Sequence, residues 1–460
     1  MSRKYFGTDG VRGVANEMLT PELAFSIGRA TGQWMARQGV APRAAMGRDT
    51  RRSGPMLGAA FGAGLCSTGI DVVAMGVVPT GGISFVARTG DYGLGVVISA
   101  SHNPAPDNGI KLIGHDGRKL PDEDEEAIEA LMDEGAGDRP TGENVGRLQT
   151  SRDEVDRYMQ FLESIVPERL EGLTVAVDGA HGAAYALGPE IFRRLGAKVV
   201  CEGVSPDGMN INAEGGATKP EAVQALTKRA GADLGVAFDG DADRAVFSDD
   251  RGRLINGDRT MAIWCAHWSR EGRLEPSVVV STVMSNGGFE KYMASQGVRV
   301  ERTPVGDKHV SAKLREVGGR IGGEQSGHVI FPEHAPTGDG LVTALEILRV
   351  LKREGRPASE FYGDYESWPQ LLVNVQVSDQ KGWDGHDAVR EALSAANDEL
   401  DGHGRAVVRA SGTQPMIRVM VEADDCGLRD HAADRIVDAL TKELAGKVYS
   451  RVDLTHALGD

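Results

Sequence analysis

Apolar and polar positions in residues 1–135 alternate between helical and strand spacing. Thr-Pro-Glu at 20–22 predicts a helix start, because a capping hydroxyl precedes proline at the first helical position, and Gly39 predicts its end. The apolar runs 70–75 and 94–98 predict strands, and the second, β-branched and bounded by Gly and Ser, is typical of a buried one. This alternation indicates a layered α/β domain with a mostly parallel sheet.

The pattern restarts after a polar, glycine-rich stretch at 135–150 that predicts a linker. A second unit contains two strands that each end in Asp-Gly, and a third unit begins near Gly252 and closes with a long helix. The strands and helix predicted for these two units are 173–177, 233–238, 277–280, 298–302, 320–322 and 338–352. The layout is repeated, although no clean sequence repeat is present.

A smaller unit of different order follows a second predicted linker at 353–370. It has two adjacent strands between two helices, which favours an α+β domain over a fourth α/β layer. Its predicted elements are the strands 371–377, 405–410 and 416–422 and the helices 385–400 and 428–444. The fold class expected for the whole chain is therefore three similar mixed α/β layered domains plus a smaller C-terminal α+β domain.

Composition excludes several classes of protein for this chain of 460 residues. A formal net charge of −16 argues against non-specific binding to nucleic acid, although local Arg and Lys can still hold a phosphorylated substrate. Four cysteines far apart indicate free thiols in a reducing compartment. Neither a signal peptide nor a membrane span is expected, so we predict a cytoplasmic protein without a membrane partner.

The first chemical motif, Ser-Ala-Ser-His-Asn-Pro at 99–104, follows the carboxyl end of the 94–98 strand. Ligands bind at this edge of open α/β sheets. Ser101 can project its hydroxyl from such a tight loop, but a serine needs activation to act as a nucleophile. The alternative is a turn serine that bonds its own backbone.

The second motif places Asp239, Asp241 and Asp243 at alternate positions of an extended segment, with Arg244 next. Three carboxylates repel one another unless a cation neutralises them, and hard oxygen ligands suit Mg²⁺. Arg244 can pair with a phosphate oxygen. The alternative is a solvated acidic turn, and an EF-hand loop fits poorly because Arg stands where it needs Gly.

Two further motifs have the character of sugar and phosphate binders. Residues 323–328, Gly-Glu-Gln-Ser-Gly-His, place Glu324, Ser326 and His328 on a flexible loop that suits sugar hydroxyls, although it is also consistent with a plain turn. Residues 409–415 offer two hydroxyls and successive backbone N–H groups, as in an anion-binding nest. The phosphate-binding residues predicted there are Arg409, Ser411, Gly412, Thr413 and Arg418.

Each motif belongs to a different predicted domain, which indicates a cleft where the domains meet. The four motifs, in this order and spacing, resemble the α-D-phosphohexomutase superfamily over essentially the whole chain. Segments 6–13, 323–328 and 337–341 are similar to its phosphoglucosamine mutase branch, and Gln325 stands where glucose and mannose relatives usually carry Met. The resemblance implies three α/β domains and a TATA-binding-protein-like domain, here 1–150, 151–252, 253–365 and 366–460.

The resemblance also implies a reaction, from glucosamine 6-phosphate to glucosamine 1-phosphate, that supplies UDP-N-acetylglucosamine for bacterial peptidoglycan. Phosphoserine 101 gives its phosphoryl group to the substrate; a sugar bisphosphate forms, turns over and returns the other phosphate. One Mg²⁺ per chain binds Ser101 and the three Asp. The predicted catalytic residues are Ser101, Lys111, Arg12 and Arg244. Lys111 assists proton transfer unless it is a solvated surface lysine, His102 orients the loop, and a homodimer is expected.

Two departures from the family pattern are present. Gln414 replaces the usual Glu of the phosphate loop, and Asn-Ile-Asn-Ala-Glu-Gly-Gly-Ala at 210–217 lacks the usual Cys-Gly-Ser. Neither is expected to touch the metal or the nucleophile. The alternatives to an amino-sugar mutase are a phosphomannomutase or phosphoglucomutase, an Mg²⁺-dependent sugar phosphatase, and a non-catalytic sugar-phosphate sensor.

Overall fold

A computed structural model describes residues 4–7, 9–134, 137, 139–380, 382–411 and 415–456. Within these residues four separate sheets follow one another along the chain. No helix of the described residues combines the length and apolar character needed to cross a bilayer. The predicted fold class is confirmed: three mixed α/β layers precede an antiparallel α+β unit.

The first sheet has six strands in the order β1-β5-β4-β2-β3-β6. Strands β2, β3, β4 and β6 run parallel; β5 pairs antiparallel with β4, and the edge strand β1 pairs antiparallel with β5. The strands are β1 (Val11–Val14), β2 (Arg43–Arg48), β3 (Asp71–Val77), β4 (Leu94–Ile98), β5 (Asp107–Gly114) and β6 (Leu148–Thr150). The helices are α1 (Pro21–Gln38), α2 (Gly54–Cys66), α3 (Thr80–Thr89) and α4 (Asp122–Glu134).

The bounds of α1 follow from its end residues. The Thr20 hydroxyl accepts the Leu23 N–H at 3.2 Å, and proline occupies the first turn, where no amide hydrogen is required. Gly39 ends the helix with φ 66°, in the left-handed region that glycine adopts at little cost. The helix predicted from these residues is confirmed.

The second sheet has the order β11-β10-β9-β7-β8. Strands β7, β8 and β9 run parallel, β10 pairs antiparallel with β9, and β11 pairs antiparallel with β10. Its strands are β7 (Thr174–Asp178), β8 (Lys198–Glu202), β9 (Leu234–Phe238), β10 (Ala245–Asp249) and β11 (Leu254–Ile255). Its helices are α5 (Asp153–Ile165), α6 (Leu187–Arg194) and α7 (Glu221–Ala230). The turn between β9 and β10 carries the Asp triplet.

The third sheet has the order β13-β12-β14-β15. Its strands are β12 (Val278–Thr282), β13 (Arg299–Thr303), β14 (Gly322–Gly323) and β15 (Val329–Ile330). Its helices are α8 (Gly257–Arg270), α9 (Gly287–Ser295), α10 (Asp307–Val317), α11 (Gly340–Glu354) and α12 (Ala358–Tyr362). One apolar core joins this unit to the second and reaches the first, with Val86, Phe238, Trp264 and Leu345 among its buried members.

The last sheet is antiparallel, in the order β17-β18-β16-β19, and has its own apolar core. Its strands are β16 (Gln370–Gln376), β17 (Gly404–Ala410), β18 (Met416–Ala423) and β19 (Lys447–Asp453). Its helices are α13 (Asp387–Leu400) and α14 (Cys426–Glu443).

Both predicted linkers contain regular structure, so those two predictions are partly wrong. Residues 148–150 form β6, which pairs with β3. Residues 358–362 form α12, whose Phe361 is buried in the shared core. Several strands were also not predicted, namely β1, β2, β5, β6, β8, β10, β11, β15 and β19. Among them, β5 opens with the polar pair Asp107-Asn108, and β19 mixes charged and apolar residues at a sheet edge.

Candidate active site

Ser101 lies in the loop that follows β4, at the carboxyl edge of the first sheet. Its backbone has φ 51°, in the left-handed region, and its side chain is buried. The Ser101 hydroxyl donates a hydrogen bond to Asp239 Oδ2 at 2.7 Å. His102 Nδ1 lies 3.4 Å from the same hydroxyl oxygen. The first motif is thus brought into contact with the second, across two units of the chain.

The Asp triplet occupies the turn after β9. One carboxylate oxygen of each of Asp239, Asp241 and Asp243 lies within 4.8 Å of the others, and all three side chains are buried. Among the described residues, Asp241 Oδ1 and Asp243 Oδ1 are buried without a hydrogen-bond partner. Buried carboxylate oxygens without donors are costly unless a cation binds them, so the donor set fits a hard metal ion.

Burial and mutual repulsion act on the charges of this triplet. Burial, then the carboxylates of Asp243 and Asp241, raise the pKa of Asp239. Burial and Asp241 also raise the pKa of Asp243. Burial acts against ionisation of Asp241 as well, but Lys111 and a hydrogen bond from the Thr80 hydroxyl at 2.7 Å outweigh it and lower its pKa. The three carboxylates can therefore all be ionised only when cations lie beside them.

Lys111 supplies a fixed positive charge from β5. Its Nζ lies 2.8 Å from Asp9 Oδ1 and 3.8 Å from Asp243 Oδ2. Burial opposes the charged form, but Asp9, Asp241 and Asp243 outweigh it and raise the pKa of Lys111. Arg12 forms an ion pair with the same Asp9. The solvated-lysine alternative is excluded, because the Lys111 side chain is buried in the site.

The third motif completes a cavity of about 270 Å³ over the serine and the acidic turn. His328 Nε2 lies 3.9 Å from Asp243 Oδ2, and Glu324 Oε1 accepts the backbone N–H of Gly306 at 2.9 Å. The sequence-predicted residues that line this cavity are Arg12, Ser101, Lys111, Asp243, Arg244, Glu324, Ser326 and His328. Three of the four motifs therefore meet in one place.

Comparison with known proteins agrees with this arrangement. Models of the phosphoglucomutase/phosphomannomutase family match the chain in order: α/β/α domain I at residues 3–138, domain II at 156–252, domain III at 256–368 and the C-terminal domain at 372–439. The chain belongs to the phosphoglucomutase/phosphomannomutase family. It is accordingly an enzyme, an intramolecular phosphotransferase of the α-D-phosphohexomutase superfamily, as predicted.

Relatives within the family extend over nearly the full chain. The phosphoglucosamine mutase of Symbiobacterium thermophilum is 48% identical, covering 96% of this chain and 99% of that protein. That of Desulforamulus reducens is also 48% identical, covering 95% and 98%. A phosphoglucomutase/phosphomannomutase family protein from Burkholderia thailandensis has a similar structure, with TM-score 0.80, 25% identity and coverage of 97% and 99%.

A second solved structure shares the family fold at lower identity. The Aspergillus fumigatus N-acetylphosphoglucosamine mutase, solved with GlcNAc-6P and magnesium, superposes with TM-score 0.67 and 19% identity, covering 96% of each chain. At this identity the match supports the architecture of the phosphohexomutase fold.

The fourth motif of this phosphohexomutase is described only in part. Arg409 and Arg418 are paired across β17 and β18, and the Ser411 N–H donates to Met416 O at 2.8 Å. Gly412, Thr413 and Gln414 lie outside the described residues. Arg418 lines a cleft of about 1310 Å³ whose other walls include His102 and Arg244. Arg418 therefore lines the large cleft, which meets the catalytic cavity at His102 and Arg244. Among the described residues, Arg409 and Ser411 line neither the cleft nor the cavity.

Sequence reasoning missed the residue that shapes the serine loop. Arg51 is fully buried, and its guanidinium donates to the backbone carbonyls of Ser101 (2.9 Å), Asn103 (2.8 Å) and Asp107 (3.0 Å), and to that of Pro104. It also pairs with Asp49, also buried. A polar run with two arginines resembles a solvated loop, so only the Asp–x–Arg spacing at 49–51 hinted at a local pair.

One prediction about the 210–217 segment is wrong. Asn212 Nδ2 donates to the backbone carbonyls of Ser101 at 2.9 Å and Asn103 at 3.1 Å. The segment therefore touches the residue that carries the nucleophile, because the loop before α7 folds over the end of β9 and reaches the first unit. Asn212 and Arg51 hold the serine loop from two sides.

Proposed function

We propose that this enzyme interconverts glucosamine 6-phosphate and glucosamine 1-phosphate, with Ser101 as the phosphoryl carrier. The hydrogen bond from the Ser101 hydroxyl to Asp239, inside a buried three-carboxylate cluster, carries the mechanistic part of the proposal. The choice of sugar follows from relatives that are 48% identical over nearly their full length and are named phosphoglucosamine mutases.

Asp239, Asp241 and Asp243, together with a phosphate oxygen on Ser101, would hold one Mg²⁺ per chain. An all-oxygen, mainly carboxylate donor set suits this ion, and two of the carboxylate oxygens are buried without protein donors. When bound, the ion neutralises negative charge on the phosphoryl group being transferred.

The chain's own residues then position the reacting groups. The P–O bond to Ser101 breaks as a new P–O bond forms to the free hydroxyl oxygen of the substrate, and the proton of that hydroxyl passes to the Ser101 oxygen. The products are the sugar bisphosphate and the unphosphorylated serine. Such transfers depend on positioning and charge stabilisation more than on a strong base. Lys111 and Arg12 flank the phosphoryl group as cations. Burial opposes the charged form of Lys111, but Asp9, Asp241 and Asp243 outweigh it and raise its pKa, so its ammonium stabilises negative charge and can assist the predicted proton transfer.

Binding residues hold the rest of the substrate. Glu324, Ser326 and His328 would bind sugar hydroxyls, and Arg244 a phosphate oxygen. Arg418, with Arg409, Ser411, Gly412 and Thr413, would bind the distal phosphate. The bisphosphate rotates end over end within the cleft of about 1310 Å³ and returns its other phosphate to Ser101. We keep the four-domain division, a homodimer and a cytoplasmic location as predictions.

The test incubates the purified enzyme with glucosamine 6-phosphate, Mg²⁺ and a trace of glucosamine 1,6-bisphosphate. Formation of glucosamine 1-phosphate should be faster than that of glucose 1-phosphate from glucose 6-phosphate. Equal or reversed rates would overturn the sugar assignment, and release of inorganic phosphate at the same rate would indicate a phosphatase.

Two variants test the carrier. Ser101→Ala should lose mutase turnover and the added phosphate seen by intact-mass measurement of the wild type. Ser164→Ala, an exposed helix serine, is the matched control and should retain both. Substantial turnover by Ser101→Ala would refute the role of Ser101.

A further inference from the structure

The catalytic cavity contains more negative charge than a site for phosphate requires. Four carboxylates line it: Asp9, Asp243, Asp307 and Glu324. Asp9 is paired with Lys111 and Arg12, and Asp243 belongs to the metal cluster and lies near Lys111. Asp307 and Glu324 have neither kind of partner.

Asp307 and Glu324 accept hydrogen bonds from backbone amides only. Gly306 N–H donates to Glu324 Oε1 at 2.9 Å, and Lys308 N–H donates to Asp307 Oδ1 at 2.7 Å. Among the described residues, no Lys, Arg or His forms an ion pair with either carboxylate. The neighbouring Lys308 Nζ instead lies 3.5 Å from Asp122. Within the described part of the chain, the sugar-binding wall thus carries two carboxylates that form no ion pair.

This arrangement is unfavourable for a substrate that carries only phosphate, because like charges repel across a partly desolvated cavity. Sugar hydroxyls need one acceptor at this wall, and Glu324 of the third motif supplies it. A second carboxylate becomes favourable when the substrate carries a positive charge. Glucosamine phosphate carries one in the ammonium group at C2.

We infer that Asp307, at the start of α10, determines specificity by pairing with the ammonium group of the amino sugar. The inference rests on the proposed function. In this inference, Asp307, which lies outside the four sequence motifs, discriminates between glucosamine phosphate and glucose phosphate. An unpaired carboxylate favours the amino sugar over its neutral analogue, because only the ammonium group of the amino sugar gives that carboxylate an ion-pair partner.

A second account of Asp307 is purely structural. An acidic residue in the first turn of a helix interacts favourably with the helix dipole. That contribution stabilises α10 whichever sugar is present, so it would affect both substrates alike. The ratio of kcat/KM for the two sugars therefore separates the two accounts.

The experiment measures kcat/KM for glucosamine 6-phosphate and glucose 6-phosphate in the wild type and in Asp307→Asn. The substitution keeps the size of the side chain and removes its charge. We expect the ratio between the two sugars to fall about tenfold or more. Asp307→Glu should retain much of the preference. Glu22→Gln, in the first turn of α1 and away from the cavity, is the matched control and should leave the ratio unchanged.

The pH profile of the wild type gives a second readout that requires no variant. Raising the pH above the pKa of the substrate amine should remove the preference for the amino sugar, and Asp307→Asn should show no such change. If Asp307→Asn does not fold, Asp307→Ser and this profile decide the question. An unchanged ratio in a folded variant, or a flat wild-type profile, would overturn the role of Asp307. Failure of the wild type to convert glucosamine 6-phosphate would instead overturn the proposed function.

Discussion

At the scale of single residues, Arg51 is the main positioning group of the serine loop. Its guanidinium is the donor for four loop carbonyls and an ion-pair partner for buried Asp49. A lysine ammonium keeps the charge but has three donors and no planar fork. Arg51→Lys should therefore leave buried carbonyls unsatisfied, at a cost of about 3 kcal/mol in the free energy of unfolding.

The same substitution should lower kcat, because Ser101 loses the backbone support that fixes its strained conformation. Urea unfolding and steady-state kinetics measure the two effects. Arg52→Ala, at the exposed neighbouring position, is the control and should change neither. Wild-type stability together with wild-type kcat in Arg51→Lys would contradict the assignment.

The Asp triplet leads to a prediction about metal and pH. Burial and mutual repulsion raise the pKa of Asp239 and Asp243, so protons compete with the cation at higher pH than for an ordinary aspartate. Affinity for Mg²⁺ should therefore fall as pH decreases, and the fall should begin at a higher pH than for a site built from ordinary aspartates. Calorimetric titration at several pH values measures it.

Removal of the metal should also affect the stability of the fold. Chelation should lower the melting temperature and abolish turnover, since a ligand that binds only the folded state stabilises that state. Asp239→Asn should weaken the Mg²⁺-induced rise in melting temperature, whereas Asp91→Asn, at an exposed position, should not. A melting temperature independent of Mg²⁺ would count against the cluster as a metal site.

At the scale of elements, Asp339 joins three helices. It caps α11 by accepting the N–H groups of Leu341 at 2.9 Å and Val342 at 3.1 Å, and it accepts the hydroxyl of Tyr158 from α5 at 2.7 Å. A Cβ on Gly81 of α3 would collide with its carboxylate. Burial outweighs these hydrogen bonds and raises the pKa of Asp339 to about 6.

Because the folded state holds this proton more tightly than the unfolded state, the stabilising contribution is complete at low pH. It is lost as pH rises from the unfolded value of 3.8 to about 6. Asp339→Asn keeps the capping oxygen and removes the titration. Between pH 3.8 and about 6, the free energy of unfolding of the wild type should fall relative to that of the variant by on the order of 3 kcal/mol. Urea unfolding at several pH values measures the difference.

A second capping aspartate provides the control for this prediction. Asp425→Asn alters the exposed N-cap of α14, where solvent surrounds the carboxylate, and should not reproduce the effect. A constant difference between wild type and Asp339→Asn across the window would contradict the argument.

Elements with strong periodicity or end signals were predictable from the sequence, whereas elements whose apolar pattern is interrupted by polar residues were not. Strand β4 has the predicted bounds, and α1 begins and ends at its predicted capping residues. Strands β5 and β19 are not predicted, because polar and charged residues interrupt their apolar pattern. Strand β19 lies at a sheet edge, which tolerates such residues, whereas β5 lies between β1 and β4 and carries Lys111 into the active site. The buried α12 was taken for linker because Pro357 and the polar residues around it suggested a loop.

The chemical identity of the site was more predictable than the support around it. Ser101 and the Asp triplet stand out as motifs, since their residue types and spacing predict a particular chemistry. Arg51 and Asn212 act through backbone carbonyls of another segment, and no sequence pattern records such a contact. Asp307 belongs to no motif, and its position on the cavity wall follows only from how α10 packs beside the third motif.

At the scale of the whole molecule, the last domain borders a cleft much larger than the catalytic cavity. Arg418 lines the cleft of about 1310 Å³ that His102 and Arg244 also line, whereas the catalytic cavity measures about 270 Å³. We expect a hexose bisphosphate that contacts both Ser101 and Arg418 to draw the last domain toward the other three.

Contacts between the last domain and the edge of the catalytic cavity can transmit such a movement. Gln370 Nε2 donates to Met284 O at 3.2 Å, and Arg405 Nη2 donates to Ser285 O at 2.6 Å. Met284 itself lines the catalytic cavity. The third and last domains are therefore coupled at the point where the substrate binds.

We expect saturating glucosamine 1,6-bisphosphate to reduce the radius of gyration measured by small-angle X-ray scattering, because closure brings Arg418 to the distal phosphate. Arg418→Ala should abolish the reduction and raise KM, since it removes the cation that couples ligand to domain. Arg451→Ala, on the exposed strand β19 of the same sheet, should leave both unchanged. An unchanged radius in a wild type that turns over substrate would show that the enzyme works without closing this cleft.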